Sequence, residues 1–246
     1  HENTILHGPD TSEAVLDAYE RKGMVVIPAF SVGRTQELLY HLRNLEAEKR
    51  IPELDVFVDS PMACDATPIY LKHAEEHDLD MAAIVKRGES PLATKRTRFV
   101  TSPQESKQIN QMDGPGIIIS ASGMATGGRI LHHLKYRLPD PRNTVLFVGY
   151  QSEGSRGRRM LDGEKEVKIH GQMVRVEARI RTVSGFSAHA DWTETLRWMD
   201  GFESPPHQTL LVHGEPSALQ GLKEKVEARG WPAYIPEHLE KVELAQ

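Results

Sequence analysis

"MVVIPAFSVGRTQELLY" (residues 24–40) opens as a strand-sized apolar run, turns through Ser–Val–Gly, and leaves as a helix that starts at about Arg34 and reaches Lys49. An apolar run without polar alternation marks a strand covered on both faces, and a helix directly behind it is the return arm of a β-α-β unit. The pattern recurs. "LDVFVDS" (54–60) precedes "ACDATPIYLKHAEEH" (63–77), "RFVTS" (98–102) runs into "SPQESKQINQM" (102–112), "GIIISAS" (116–122) precedes "GGRILHHLKYRL" (127–138), and "NTVLFVGY" (143–150) closes the series. A helix over 11–23, with Thr11 or Ser12 as N-cap and Gly23 as terminator, precedes the first strand. Residues 1–163 are therefore predicted to form an α/β domain, a doubly wound, mostly parallel sheet.

Past "LDGEKE" (161–166) the pattern changes. "EVKIHG" (166–171) and "MVRVEARIRTV" (173–183) alternate apolar and polar side chains, as in a half-exposed antiparallel sheet. The helix "DWTETLRWM", the strand "TLLVHG", the helix "SALQGLKEKVEARG" and closing strands in "PAYIPE" and "KVEL" follow. Residues 164–246 are thus expected to be a second, smaller α/β segment.

Composition narrows the function classes. With 246 residues, 39% hydrophobic, the chain has enough apolar material for a substantial core. No stretch approaches the roughly 20 apolar residues of a membrane span, so no membrane partner is expected. Cys64 is the single cysteine, which excludes an internal disulfide framework and fits a reducing, cytoplasmic setting. The opening "HENTILHG" has neither initiator Met nor signal-peptide character, and a missing N-terminal part is expected. Net charge is −5, yet from Arg129 to Arg159 seven Lys or Arg (Arg129, Lys135, Arg137, Arg142, Arg156, Arg158, Arg159) face only Asp140 and Glu153. That island of +5 leaves −10 for the remainder, a distribution suited to one bounded polyanion site or to a solvated face.

Parallel sheets gather ligands at the carboxyl ends of their strands. Four loops meet that condition: "FSVGRTQE" (30–37), "DSPMACD" (59–65), "SASGMATGGR" (120–129) and "GYQSEGSRGRR" (149–159). Three place Gly and Ser beside Arg, combining backbone donors with a guanidinium fork for phosphate. Ser31, Arg34, Ser122, Gly123, Arg129, Arg156 and Arg158 are the phosphate-contact candidates, with Arg34 equally suited to an ion pair with Glu37. Asp59 and Asp65 read as turn caps, Cys64 as a buried thiol, His132 and His133 as surface-helix histidines, and Trp192, Trp198 and Trp231 as core.

In the second segment "GFSAHADW" (185–192) presents His189 and Asp191 ahead of a helix, with Ser187 or Asp191 available as its N-cap. "LLVHGE" (210–215) puts His213 directly after a strand. An imidazole at a strand end has its direction fixed by rigid backbone, which suits it to a metal or a phosphate as well as to an ordinary turn.

In this order, "IPAFSVGRTQELLY", "VFVDSPMA", "IIISASGMATGGR", "RNTVLFVGYQSEGSRGRRMLDG", "SGFSAHADW" and "LLVHGE" resemble the β-CASP branch of the metallo-β-lactamase fold, a family of RNA-processing nucleases. The resemblance implies a β-CASP domain over 1–163 and the C-terminal portion of a metallo-β-lactamase domain over 164–246. It implies that His189 hydrogen-bonds the scissile phosphate, with Asp191 beside it as a further catalytic candidate, and that His213 is a zinc ligand. It also implies RNA as partner, clamped as a single strand, and two zinc ions in a complete enzyme. The family's H-x-H-x-D-H motif and its "STYG"-like segment do not occur in this sequence. Catalytic zinc takes at least three protein ligands, so no tight zinc is expected in this chain alone. A non-catalytic RNA-binding or scaffold paralogue is the alternative; a nucleotide-binding module is disfavoured because "SGMATGGR" lacks the G-x-G-x-x-G and P-loop spacings. A homodimer stays open.

Overall fold

The computed structural model describes residues 9–183, 186 and 189–243. The chain divides into two compact units, residues 1–187 and 188–246. The division falls later than the change in hydropathy pattern at 163, because the segment between them belongs to the first unit.

In the first unit α1 (Pro9–Glu20) leads into β1 (Met24–Pro28), α2 (Arg34–Ala47), β2 (Asp55–Val58), α3 (Pro61–Lys72), α4 (Leu79–Lys86), β3 (Thr97–Phe99), α5 (Pro103–Ile109), β4 (Gly116–Ser120), α6 (Ile130–Arg137), β5 (Thr144–Phe147) and α7 (Arg156–Leu161). A hairpin of β6 (Glu166–Ile169) and β7 (Gln172–Arg175) precedes β8 (Arg179–Thr182). Six strands form one sheet in the order β3-β2-β4-β1-β5-β8, every neighbour parallel. The alternation over 166–183 correctly marks the antiparallel β6–β7 pair. It misassigns β8, which pairs in parallel with β5 at the sheet edge, where all four residues stay partly or wholly exposed and polar residues are tolerated.

Side-chain alternation sends the strands' residues to two cores. Val25, Ile27, Val56, Val58, Ile117 and Ile119 pack with Ala14, Ala18, Leu38, Leu42, Leu45 and Ala63 from α1, α2 and α3. Val26, Phe57, Ile118, Val145 and Phe147 pack with Ile109, Ile130, Leu134 and Met160 from α5, α6 and α7. Ile117, Ile118 and Ile119 are wholly buried, and each such side chain contributes about 1.5–3 kcal/mol. Covering both faces is what makes these strands read as unbroken apolar runs.

The strand order also fixes where a ligand crevice opens. The chain leaves β1 past β4 toward β2, and leaves β4 past β1 toward β5, in opposite directions from adjacent strands. Their helices α2 and α6 therefore lie on opposite faces, and the carboxyl ends of β1 and β4 are the switch point at which such sheets bind ligands.

Local signals set the element ends. Ser60, Ser102 and Ser155 cap α3, α5 and α7 by accepting from the backbone N–H groups of Ala63, Glu105 and Arg158. Helix α1 begins at Pro9, ahead of Thr11 and Ser12, so neither is its cap.

The second unit holds α8 (Trp192–Met199), β9 (Thr209–Leu210), α9 (Pro216–Glu227) and β10 (Ala233–Tyr234), with β9 and β10 parallel. Of the expected closing strands, "PAYIPE" supplies β10; residues 241–243 form none, and Leu244 lies outside the described residues. The small core contains Met199, Val226 and Trp231. Trp192 and Trp198 are not core: they are 51% and 70% exposed, Trp192 lying under Lys225 Nζ at 3.9 Å and Trp198 edge-on to Phe202. A helix on so small a unit buries one narrow stripe and leaves large side chains in water.

Candidate functional site

The four strand-end loops are physically joined. Ser31 Oγ, after β1, lies 2.9 Å from Ser60 Oγ after β2. Ser120 Oγ donates to the Asp59 carbonyl at 2.7 Å, tying β4 to the β2 loop. Gln151 Nε2, after β5, donates to the Gly123 carbonyl at 3.0 Å. Gly123 backs onto Phe30, where a Cβ would stand 3.1 Å from the ring and 3.2 Å from the Phe30 nitrogen, so glycine lets the β1 and β4 loops close on each other.

Beneath these loops lies a buried polar network. Asp59, wholly buried, has Oδ2 at 2.6 Å from His133 Nε2 and accepts from Ser106 Oγ at 2.5 Å; its Oδ1 accepts from Arg129 Nη1 at 2.7 Å. His133 Nδ1 meets Asn110 Oδ1 at 2.8 Å. Burial pushes the Asp59 carboxyl up, but the hydrogen bonds from His133, Ser106 and Arg129 outweigh it and hold its pKa below the ordinary carboxylate value. The reading of Asp59 as a turn cap and of His133 as a surface histidine is therefore corrected. "ILHHL" turns one imidazole inward at His133 and leaves His132 exposed, because consecutive helical residues point about 100° apart.

The phosphate-contact candidates divide by what already engages them. Arg129 faces Asp59 and also donates to the Val100 and Thr101 carbonyls at 3.2 and 2.6 Å, which makes it a strut between β2, α5 and α6. Ser122 Oγ accepts from the backbone N–H groups of Thr126 and Gly127, closing its own turn. Arg34 pairs with Glu37 at 2.5 Å and lies over the Phe186 ring, the ion pair that the sequence left open. Burial lowers the Arg34 pKa and raises that of Glu37, against the pull of their pairing. Arg158 pairs with Asp162, and Arg159 with Glu164. Arg156 is held by two backbone carbonyls, Lys168 at 2.8 Å and Ala125. The basic island is thus smaller than its count: Arg137 is buried against the Ile109 and Met112 carbonyls, and Arg142 pairs with Asp140. Cys64 is buried, and burial raises its thiol pKa, so it is a poor nucleophile.

A cavity of about 660 Å³ opens between α2 and α4, lined by Tyr40, Arg43, Asp78, Asp80 and Arg87 among others. Its mixed charges give a phosphate chain no net attraction, which leaves the strand-end loops as the better candidate.

In the second unit Asp191 is the N-cap of α8. Its Oδ1 accepts from Glu194 N at 2.8 Å while Glu194 Oε2 accepts from Asp191 N at 3.2 Å, a reciprocal capping box. Ser187, the other cap candidate, lies outside the described residues. His189 is exposed. His213, also exposed, holds φ at 63°, in the left-handed region that L-residues adopt rarely. Among the described residues no three His, Cys, Asp or Glu side chains gather so as to hold a metal ion. Catalytic zinc takes at least three protein ligands, a number that the described donors around His213 do not reach.

The model of the β-CASP domain matches residues 35–160, more than half of the chain. The chain belongs to the β-CASP family. The model of a Zn-dependent metallo-hydrolase RNA specificity domain matches residues 173–236, directly after the β-CASP match. A ribonuclease of Thermus thermophilus, TTHA0252, is 37% identical over 208 residues, 85% of this chain and 47% of that protein. The transcription termination factor FttA of Methanosarcina mazei is 33% identical, with 86% of this chain and 34% of that protein covered. FttA of Pyrococcus abyssi is 32% identical, with 94% and 37% covered. The β-CASP chain spans between a third and a half of these relatives' length, and its all-parallel sheet and α/β layering agree with the family's fold.

Sequence reasoning missed Asp59, His133, Ser106 and Gln151 as organisers of the β-CASP loops. "DS" after an apolar strand was a usable signal, since a carboxylate at a buried strand end needs partners; that His133, 74 residues on, supplies one is a property of the fold.

Proposed function

We propose that this β-CASP chain is part of a ribonuclease that hydrolyses RNA phosphodiester bonds with zinc, the metal ligands other than His213 lying in sequence beyond this chain. The observation that carries the reading is the junction of the β1, β2, β4 and β5 loops at the switch point between β1 and β4. In this reading it offers a phosphate chain the Ser31 hydroxyl and the Arg156 guanidinium, with Arg34 and Arg158 reaching it in exchange for their acidic partners. The two family matches and the names of the relatives, a ribonuclease and transcription termination factors, support RNA as the substrate.

In this reading Ser31, Arg34, Ser122, Gly123 and Arg156 line the path of the RNA backbone and Arg158 lies on its rim, while Arg129 acts through Asp59 by fixing the loops. His189 donates a hydrogen bond to the scissile phosphate, and Asp191 orients the turn that carries His189 by capping α8. His213 contributes one ligand. Zinc, when bound, supplies an activated water and charge neutralisation at phosphorus. A cytoplasmic site of action accords with the single reduced thiol.

The test uses a protein extended N-terminally to the length of the relatives. Incubated with zinc and a single-stranded oligoribonucleotide, it is expected to cleave the strand, and Arg156→Gln is expected to weaken strand binding. A zinc-loaded extended protein that binds RNA without cleaving it supports the scaffold alternative instead.

A further inference from the structure

Beyond the loop junction, a second cavity of about 400 Å³ lies where the turn of the β6–β7 hairpin meets α7 and the end of the β4 loop. Thr126, Arg156, Arg159, Lys168 and His170 line it with Gly154 and Gly171, and no Asp or Glu is among its described lining residues. We propose that this cavity is a binding pocket for a phosphate group, with Lys168 and Arg156 as its cationic walls, the His170 ring as a nitrogen donor and Thr126 as a hydroxyl donor.

Three observations support the pocket. First, Arg156 is pinned from two sides by the Lys168 and Ala125 carbonyls through Nε and Nη1, and its Nη2 has no partner among the described residues. A guanidinium held by neutral carbonyls keeps its full charge and a fixed direction, as an anion site requires. Secondly, positive groups crowd together with little to offset them. Lys168 has no carboxylate partner among the described residues, and Glu164 pairs with Arg159. The His132 and His170 rings stand 4.5 Å apart. Burial, then the neighbouring Arg159, lowers the Arg156 pKa, and burial, then His170, lowers that of His132. An anion in the cavity relieves this repulsion.

Thirdly, the hairpin carries a histidine where the backbone favours another residue. β6 and β7 are joined by His170 and Gly171 alone, with φ of 47° and 80°. Two positive φ values in a two-residue loop make a type I′ turn, whose preferred first residue is Asn, Asp or Gly. An imidazole kept in that strained position, at the mouth of a basic cavity, points to a use for the ring.

The pocket shares Arg156 with the proposed RNA path and rests on that reading only for the source of the phosphate. Pyrophosphate is the probe, added to the intact chain and followed by calorimetry and by the His170 imidazole resonances. It is expected to shift those resonances. Lys168→Glu is expected to bind at least about tenfold more weakly, the value of one charge-assisted hydrogen bond. His170→Asn, which suits the type I′ turn, is expected to keep or raise the melting temperature while weakening pyrophosphate binding about threefold or more. Competition by an oligoribonucleotide without a terminal phosphate identifies the ligand as an internal phosphodiester; competition only by its 5′-phosphorylated form identifies a strand end. Wild-type affinity in both variants, or unresponsive His170 resonances, overturns the pocket. A protein that binds pyrophosphate here but never cleaves RNA leaves the pocket standing and removes the ribonuclease reading.

Discussion

His133 Nε2 lies 2.6 Å from Asp59 Oδ2, with both side chains wholly buried, 74 residues apart in sequence and next to the β2 and β4 loops of the candidate site. This pair joins the end of β2 to α6. Ser106 and Arg129 complete it from α5 and the β4 loop.

Removing one member of a buried, fully bonded group strands the others. Asp59→Ala is expected to destabilise the first unit by about 3–5 kcal/mol, read by urea unfolding. A loss below about 1 kcal/mol contradicts the network's role.

Acid stability follows from the same carboxyl. The folded pKa of Asp59 is below its unfolded value of about 3.9, so its contribution is fully present above pH 4–5 and is lost as pH falls through the folded value. The unfolding free energy of the wild type is expected to fall more steeply below pH 4 than that of Asp59→Asn. Parallel curves assign the acid sensitivity elsewhere.

Gly128 tests how closely the β4 loop must fold. Its φ is +78°, and a Cβ there would stand 2.5 Å from the Ala121 carbonyl oxygen. Gly128→Ala is expected to cost about 1–3 kcal/mol and to weaken RNA binding together with stability. Unchanged melting and unchanged binding show that the β4 loop tolerates a wider turn at Gly128.

Much of the fold was legible in the sequence because each central strand is buried on both faces, as "GIIIS" shows, and because Ser102 ahead of Pro103 announces a helix start, whereas the cap of α3 is Ser60 rather than Asp59 or Asp65. β8 was misassigned since an edge strand that is only partly covered carries polar residues like an antiparallel one. The candidate site was half legible. Gly and Ser clusters mark loops at strand ends, but the count of basic residues does not tell that Arg137 is buried, that Arg129 is committed to Asp59, or that Arg158 and Arg159 have acidic partners. Charge along a chain is not charge at a surface, and the partners that cancel it come from distant residues. The positive φ at His170 and His213 is likewise a backbone property that side-chain identity does not announce.

Salt dependence separates the two kinds of arginine. Arg156→Gln is expected to lower RNA affinity and to reduce the dependence of binding on salt concentration by about one phosphate contact. Arg129→Gln is expected to act chiefly on stability. An unaltered salt slope in Arg156→Gln removes that residue from the RNA path.

Zinc content and RNA cleavage, measured together on the N-terminally extended protein and its His189→Ala and His213→Ala variants, bear most directly on the ribonuclease assignment. The wild type is expected to hold zinc and cut single-stranded RNA, His189→Ala to retain zinc while turning over at least about 100-fold more slowly, and His213→Ala to lose both. Equal zinc loss in the two variants, or a zinc-replete wild type that leaves RNA intact, contradicts it.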